Sequence, residues 1–283
     1  MIPEAFEYKR ATTLDEAISL IKASNGEGKF LAGGHSLVPL MKLRLSEPGV
    51  LIDISRIPQL KGISQQDGKI QIGSATTHTE VVNSGLLQDL CPAVSECAGE
   101  IGDPQVRNRG TIGGSLAHSD PAADYPALVV ALDAEIHIKG SNGWRAVRAA
   151  DFFQGLFTVD LAEDEIIAGV QFAPVKKAAY AKLHQRASHY AIVGVAAVLD
   201  MDGNTCRSAR IGLTGASSHA QRLTQVEAQL AGKELNQATI DAAAAVAADG
   251  LEDVNSDIHA SEAYRRAMVK VFTRRAIEKA ASR

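Results

Sequence analysis

The sequence predicts an α+β protein in two parts, a two-lobed N-terminal portion followed by a C-terminal portion with a small antiparallel sheet and a helical bundle. Three observations carry this expectation. Strand and helix signals alternate over roughly the first 175 residues, the composition shifts after Pro174-Val-Lys-Lys177, and from Ala220 onward the chain is alanine-rich with helical spacing. A length of 283 residues suits about two domains of ordinary size, and 46% hydrophobic residues suffices for real cores. We expect domains at 1–175 and 176–283, the first divided at about residue 56 into subdomains 1–56 and 57–175.

In chain order, Thr13-Leu-Asp-Glu16 reads as a capping box opening a helix that runs to about Ala23. Lys29 to Ala32 reads as a strand feeding a glycine turn, a helix should begin at about Ser36, and Asp53 closes the buried strand Val50-Leu-Ile-Asp53. Asp67-Gly68 is a hairpin dipeptide leading into the alternating strand Ile70-Gln-Ile-Gly73. A second capping box, Thr77-His-Thr-Glu80, predicts a helix toward Leu87, and another helix is expected from Pro92 to Gly99. Pro126 to Leu132 looks helical, Ala134 to Lys139 is a strand turned at Ser141-Asn-Gly143, and Glu165 to Phe172 is the last strand before the boundary. Beyond it, Val193 to Met201 and Ser208 to Leu213 form a hairpin through Asp202-Gly203. Helices follow at Ile240 to Ala248 and Glu262 to Ala281, with Thr239 and Ser261 as expected caps.

Composition narrows the function classes. A net charge of -4 and the lack of a basic patch give no reason to expect nucleic acid. Met1-Ile-Pro-Glu-Ala-Phe6 has neither the basic start nor the apolar stretch of a signal peptide, and no apolar run reaches the roughly 18 residues of a spanning helix. A cytoplasmic location without a transmembrane segment is expected. Cys91, Cys97 and Cys206 include no C-x-x-C pair, too few for a four-thiolate iron-sulfur cluster and badly spaced for structural zinc. They should be buried free thiols, and any metal centre that feeds electrons must lie on another chain.

The most informative stretch is Phe30-Leu-Ala-Gly-Gly-His-Ser36, echoed by Thr111-Ile-Gly-Gly-Ser115. Each copy sets two adjacent glycines between an apolar run and a hydroxyl residue, so the backbone can turn sharply and aim several NH groups at an anion. Pro39 fits the first turn of a helix starting near Ser36, and two such loops can clamp a diphosphate. A tight turn with no ligand is the competing reading of either copy alone. Asp53, 20 residues after Gly33, invites a dinucleotide fingerprint, yet the G-x-G-x-x-G spacing is missing, as is any G-x-x-x-x-G-K-[ST] loop.

Together, Met1-Ile-Pro-Glu-Ala-Phe-Glu-Tyr8, Ala32-Gly-Gly-His-Ser36, Asp103-Pro-Gln-Val-Arg107, Thr111-Ile-Gly-Gly-Ser115, Asp120-Pro-Ala-Ala-Asp-Tyr-Pro-Ala127, Tyr264-Arg265 and Arg274-Arg275-Ala276 resemble the FAD-binding medium subunits of molybdenum hydroxylases, most closely the carbon monoxide dehydrogenase type. The likeness runs nearly end to end. It implies a PCMH-type FAD-binding domain and a non-covalently held FAD. Ala32, Gly33, Gly34, His35, Ser36 and Leu37 would grip its diphosphate and ribityl region, with Thr111, Gly113, Gly114 and Ser115 completing the cradle and Ile101 nearby. The resemblance further implies that Asp124 takes a ribityl or ribose hydroxyl, although an Asp before Tyr-Pro is also a natural helix cap. Ile167 would meet the isoalloxazine edge with its main chain, its side chain belonging to the core. Lys182 would place a positive charge near the flavin and Tyr190 would lie by the ring; a solvated lysine and a core tyrosine are the plain alternatives. His35 should face solvent or the backbone rather than carry the flavin covalently.

The same resemblance implies electron relay rather than substrate chemistry. The partners would be a small [2Fe-2S] subunit and a large molybdopterin subunit, in a dimer of heterotrimers. Ser115 stands where many relatives carry asparagine and His189 where they carry an acid, which weakens carbon monoxide as the substrate. A stand-alone flavin oxidoreductase acting on a small molecule or NADH is the alternative, and a non-flavin assembly protein is a third reading against which the intact glycine pairs speak.

Overall fold

The computed structural model describes residues 2–283. The first lobe holds β1 (Glu7–Arg10), α1 (Leu14–Ala23), β2 (Gly28–Leu31), α2 (Leu37–Lys42) and β3 (Val50–Asp53), with the strands parallel in the order β1-β3-β2. β3 is central and buried at every position, as its unbroken apolar run requires. Thr13 caps α1 by accepting from the NH of Glu16, while the Glu16 carboxylate reaches one residue past the cap to the NH of Thr12.

The second lobe contains β4 (Ile63–Gln66), β5 (Lys69–Gly73), α3 (His78–Val82), α4 (Gly85–Leu90), α5 (Pro92–Gly99), α6 (Pro104–Arg107), α7 (Ile112–His118), α8 (Tyr125–Ala131), β6 (Glu135–Gly140), β7 (Gly143–Arg148), α9 (Ala149–Phe152), β8 (Phe153–Gly155), β9 (Thr158–Val159) and β10 (Ile166–Phe172). Five of its strands form an antiparallel sheet, β4-β5-β10-β6-β7, and β8 pairs with β9 alone. The β4–β5 turn carries Asp67 at φ 50° and Gly68 at φ 76°, as a tight hairpin demands.

Two expectations in this lobe are corrected. The helix opened by the Thr77 capping box does not reach Leu87; Asn83 ends it, and the hydroxyl of Ser84 caps a new helix by accepting from the NH of Leu87. A residue that caps well also breaks well. The second glycine pair is no free loop either, since Gly113 and Gly114 lie in the first turn of α7.

The remaining chain forms β11 (Ala178–His184), β12 (Ala191–Asp202), β13 (Thr205–Thr214), β14 (Gln221–Arg222), α10 (Thr224–Leu230), β15 (Lys233–Glu234), α11 (Gln237–Ala245) and α12 (Glu262–Ala281). The sheet is antiparallel in the order β11-β12-β13-β14, with β15 added to β13; α10 and α12 pack on it and α11 packs on those two helices. Ser261 caps α12 as expected, whereas α11 is capped by Asn236, whose side chain accepts from the NH of Thr239. Both residues are cap formers three apart; the earlier one wins because helix continues through the later. The α+β reading is borne out.

Hydrophobic clusters tie the parts together. One combines Ile18 and Ile52 of the first lobe with Ala75 and Ile166 of the second, and another runs from Ile72 and Leu128 to Ala196 and Val198 of β12. Fully burying side chains of this size stabilises by about 1.5–3 kcal/mol each, so the lobes are held by shared core rather than by surface ion pairs. Cys91 and Cys97 are free and buried in the second of these clusters, and Cys206 is free and buried in a third, formed within the C-terminal part.

Candidate functional site

The first glycine motif is an open cradle. β2 hands the chain to a turn in which Gly34 adopts φ 76°, a left-handed conformation that a Cβ penalises. Ser36 is the N-cap of α2 but makes no side-chain cap bond. Among the described residues, no protein oxygen accepts from the backbone NH groups of Gly33, Gly34, His35, Ser36 or Leu37. Unpaired backbone donors in a folded chain mark a place where something else must accept, and consecutive donors suit a multiply charged anion. His35 is exposed and turns its Nδ1 back to 3.1 Å from the Gly33 carbonyl oxygen, the local arrangement expected of it.

The second motif is closed. Ile112 donates to the Thr76 carbonyl at 3.1 Å, Gly113 to the Ser74 carbonyl at 2.8 Å, Gly114 to the Thr111 hydroxyl at 3.2 Å and Ser115 to the Thr111 carbonyl at 3.0 Å. The expectation that Gly113 and Gly114 lend backbone NH groups to a cofactor is thereby corrected, since those donors already have acceptors inside the fold. Gly113 is small for a different reason: a Cβ there would overlap the side chain of Ser74 and lie 2.9 Å from its Cα. What this motif can offer outward is hydroxyl groups, chiefly that of the partly exposed Ser115.

The two motifs meet. A Cβ on Gly33 would overlap the carbonyl oxygen of Arg109 and lie 2.9 Å from Cα of Gly110, so the first turn rests directly on the two residues that precede Thr111. Gly33 is therefore kept bare by protein, not by a phosphate as the spacing alone suggests. His78 braces the seam, donating its backbone NH to the Gly110 carbonyl at 3.0 Å while its ring lies against that glycine. Burial pushes the imidazole down to about 4, helped by the charges of His35 and Arg107. A neutral ring sits under the cradle.

Asp124 and Lys182 hold each other. The Asp124 carboxylate accepts from the Tyr180 hydroxyl at 2.6 Å and lies 2.9 Å from the Lys182 ammonium, which also donates to the Glu100 carbonyl at 2.8 Å. Asp124 does occupy the N-cap position of α8, as its plain alternative has it, but its side chain makes no cap bond and is spent on Tyr180 and Lys182; the Lys182 side chain is 1% exposed rather than solvated. Burial raises the Asp124 carboxyl to about 6 against the opposing pull of Lys182 and Tyr180. Sequence reasoning missed Tyr180, Ser74 and Arg109, which sit in no recognisable pattern, and His78, whose capping box signals a helix start but not the burial of its ring.

The remaining expected residues fall around these two centres. Ala32 and Leu37 flank the open turn, Ile101 is partly buried and lends its carbonyl to Arg107 at 3.0 Å, and the Ile167 side chain is core at 4% exposure. β10 carries a register shift between Ile167 and Gly169, and the NH of Ser74 bonds the freed Ala168 carbonyl at 3.0 Å. Tyr190 is not core. It is 44% exposed and lines a cavity of about 300 Å³ with Asp120, Ala122 and Arg265. Asp53 is engaged by the Tyr8 hydroxyl at 2.5 Å and the Ser55 NH at 2.8 Å, so it is not the free ribose acceptor of a dinucleotide fold.

Comparison with known proteins gives a consistent answer. The family model described as the FAD binding domain in molybdopterin dehydrogenase matches residues 4–174, and that described as the CO dehydrogenase flavoprotein C-terminal domain matches residues 178–280. The carbon monoxide dehydrogenase medium chain of Hydrogenophaga pseudoflava is 38% identical, covering 100% of this chain and 99% of its own. The glyceraldehyde dehydrogenase medium chain of Sulfolobus acidocaldarius is 34% identical, with 99% and 100% covered. A solved carbon monoxide dehydrogenase from Hydrogenophaga pseudoflava, lacking the Mo-pyranopterin moiety of its cofactor, superimposes with a TM-score of 0.96 at 38% identity, covering 100% of this chain and 99% of that one. The open cradle fits the diphosphate of FAD, and the chain belongs to the FAD-binding family of the molybdopterin dehydrogenases, as a flavoprotein subunit of the medium-chain type.

Proposed function

We propose that this chain is the electron-transfer subunit of a heterotrimeric molybdenum hydroxylase, taking electrons from a [2Fe-2S] cluster on a small partner and passing them to an external acceptor. A large molybdopterin partner oxidises the substrate, and two heterotrimers associate in the cytoplasm. The observation that carries this reading is the run of five backbone NH groups, Gly33 to Leu37, without protein acceptors. Such donors grip a diphosphate, which is the part of FAD a backbone cradle recognises.

Bound there without a covalent link, FAD supplies the chemistry of accepting electrons one at a time and releasing two. The chain's own residues position it. Ala32 to Leu37 hold the diphosphate, Thr111, Gly113, Gly114 and Ser115 form the opposite wall with Ser115 offering its hydroxyl, Ile101 lies nearby, and Ile167 meets the ring edge with its main chain. Lys182, latched by Asp124, gives a fixed ammonium, and Tyr190 covers the ring from the cavity side. The FAD-binding domain spans 1–175 and the flavoprotein C-terminal domain 176–283. Among the described residues no group of three His, Cys, Asp or Glu could hold a metal ion. Relatives named for carbon monoxide and for glyceraldehyde are similar over the whole chain, so substrate choice belongs to a partner.

The test is to load the chain with FAD and follow its visible bands. We expect slow or no reduction by NADH alone and rapid reduction once the small partner, the large partner and the holoenzyme's substrate are present. Fast reduction by NADH without partners would favour a stand-alone oxidoreductase, and failure to take up FAD would end both readings. Flavin that stays with the polypeptide after acid precipitation would contradict the non-covalent assignment.

A further inference from the structure

Asp124, Tyr180 and Lys182 form a buried charged cluster that bridges the two matched segments, Asp124 lying in the first and the other two on β11 of the second. The fold makes special room for it. Gly194, the fourth residue of β12 and directly across from Lys182, carries no side chain where a Cβ would overlap the Tyr180 hydroxyl. Glycine weakens a strand interior, so its place here indicates that the Tyr180 to Asp124 bond matters more than local strand stability. The cluster also backs the cavity beside Tyr190, because Ala122, two residues before Asp124, lines that cavity and accepts from the NH of Ala191 at 3.0 Å.

We propose that Asp124 is a proton-binding positioning residue coupled to flavin reduction, taking one proton from solvent as the flavin gains two electrons and so freeing Lys182 to face the added negative charge. This rests on the reading that puts the flavin ring beside Lys182 and Tyr190. The bookkeeping closes. Two reduced [2Fe-2S] equivalents each lose one electron, the flavin takes both with one proton, and a second proton forms an O–H bond on Asp124.

The groups that face Asp124 are Lys182 and Tyr180 on β11, Cys97 on α5, Glu100 just beyond it, Tyr125 on α8 and, further out, Tyr190. Lys182 is the cation among them, so weakening its hold is the way charge is redistributed. With its carboxyl raised to about 6 chiefly by burial, Asp124 is mostly ionised at neutral pH, and further negative charge nearby raises it again. Proton uptake on reduction therefore occurs above pH 6.

The experiment is a spectroelectrochemical titration of the FAD-loaded full chain between pH 5 and pH 9, in the wild type, Asp124→Asn and Tyr180→Phe. Just above pH 6 the wild-type midpoint should fall with pH more steeply than that of Asp124→Asn by one proton per two electrons, a tenfold change in equilibrium constant per pH unit, or about 30 mV. Asp124→Asn should also shift the midpoint upward, because Lys182 is then unpaired. Tyr180→Phe removes a donor to the carboxylate and should move the steep segment to higher pH, which serves as the test if Asp124→Asn fails to hold FAD. Equal slopes and midpoints in wild type and Asp124→Asn, or an unmoved segment in Tyr180→Phe, would overturn the proposal. A wild-type chain that takes up no FAD would instead refute the functional reading beneath it.

Discussion

The two glycine motifs look like copies, and the fold uses them in opposite ways. In the first, five successive NH groups from Gly33 to Leu37 have no protein acceptor; in the second, every NH from Ile112 to Ser115 is taken by Ser74, Thr76 or Thr111. Similar letters thus give one donor surface and one wall. The difference arises from neighbours, since the NH groups of the second pair are taken up by Ser74 and Thr111, with Thr76 holding the preceding Ile112, while the first pair touches the Arg109–Gly110 backbone and the side chains of Leu31 and Val38 without giving up its NH groups. A Gly-Gly pair tells where the chain comes close to something, not whether that something is ligand or protein.

Substitutions separate the two roles. The largest effects on stability are expected where a Cβ meets protein: Gly113→Val forces side-chain atoms into Ser74 and should destabilise the fold by several kcal/mol, roughly 3 or more, read as a lowered Tm and poor soluble yield. Gly33→Val meets backbone, the Arg109 carbonyl and Cα of Gly110, so it should cost stability on the same scale and in addition disturb the cofactor directly. By pushing the turn off Arg109 it should weaken FAD binding at least tenfold, measured by fluorescence titration, with the far-ultraviolet dichroism kept. FAD affinity lowered equally in the folded fraction of both variants would erase the distinction drawn between the motifs.

Acid sharpens the comparison next. His78 is neutral in the fold at pH values where the unfolded chain binds a proton, because burial lowers it to about 4. Stability from this residue is therefore complete above about 6.5 and lost as pH falls toward 4, by on the order of 3 kcal/mol. Asp124 works the other way, as a carboxyl raised to about 6 favours the fold more as pH drops through that value. His78→Gln should flatten the acid limb of a chemical-denaturation series, and an unchanged limb would mean that the ring is not the group involved.

The smallest effects come from the hydroxyls. Thr111→Ala removes the cap that accepts from the NH of Gly114 and should cost about 1 kcal/mol of stability. Ser36→Ala removes no cap bond and should leave Tm unchanged, so any effect must appear in FAD affinity.

Local chemistry explains what was legible in the sequence. Thr13, Thr77 and Ser261 were readable as caps because each bonds an NH three residues on, and the Asp67-Gly68 turn follows from two backbone angles. The α2 start at Ser36 was readable for the same reason, and the open turn came with it. The closed state of the second motif was not, because its acceptors Ser74 and Thr76 lie in another part of the chain. The Asp124 and Lys182 pair joins residues 58 apart, and each alone resembles a common surface or cap residue. Asn83 and Ser84 divided one expected helix because a capping pair outweighed the apolar spacing that runs through it.

A crystal structure of the chain with FAD bound tests the central claim most directly. The account predicts diphosphate oxygens at about 2.7–3.2 Å from backbone nitrogens between Gly33 and Leu37, with the Gly113 NH still bonded to the Ser74 carbonyl. A diphosphate held instead by the NH groups of Gly113 and Gly114, with the Ser74 bond broken, or one bound away from both motifs, would contradict it.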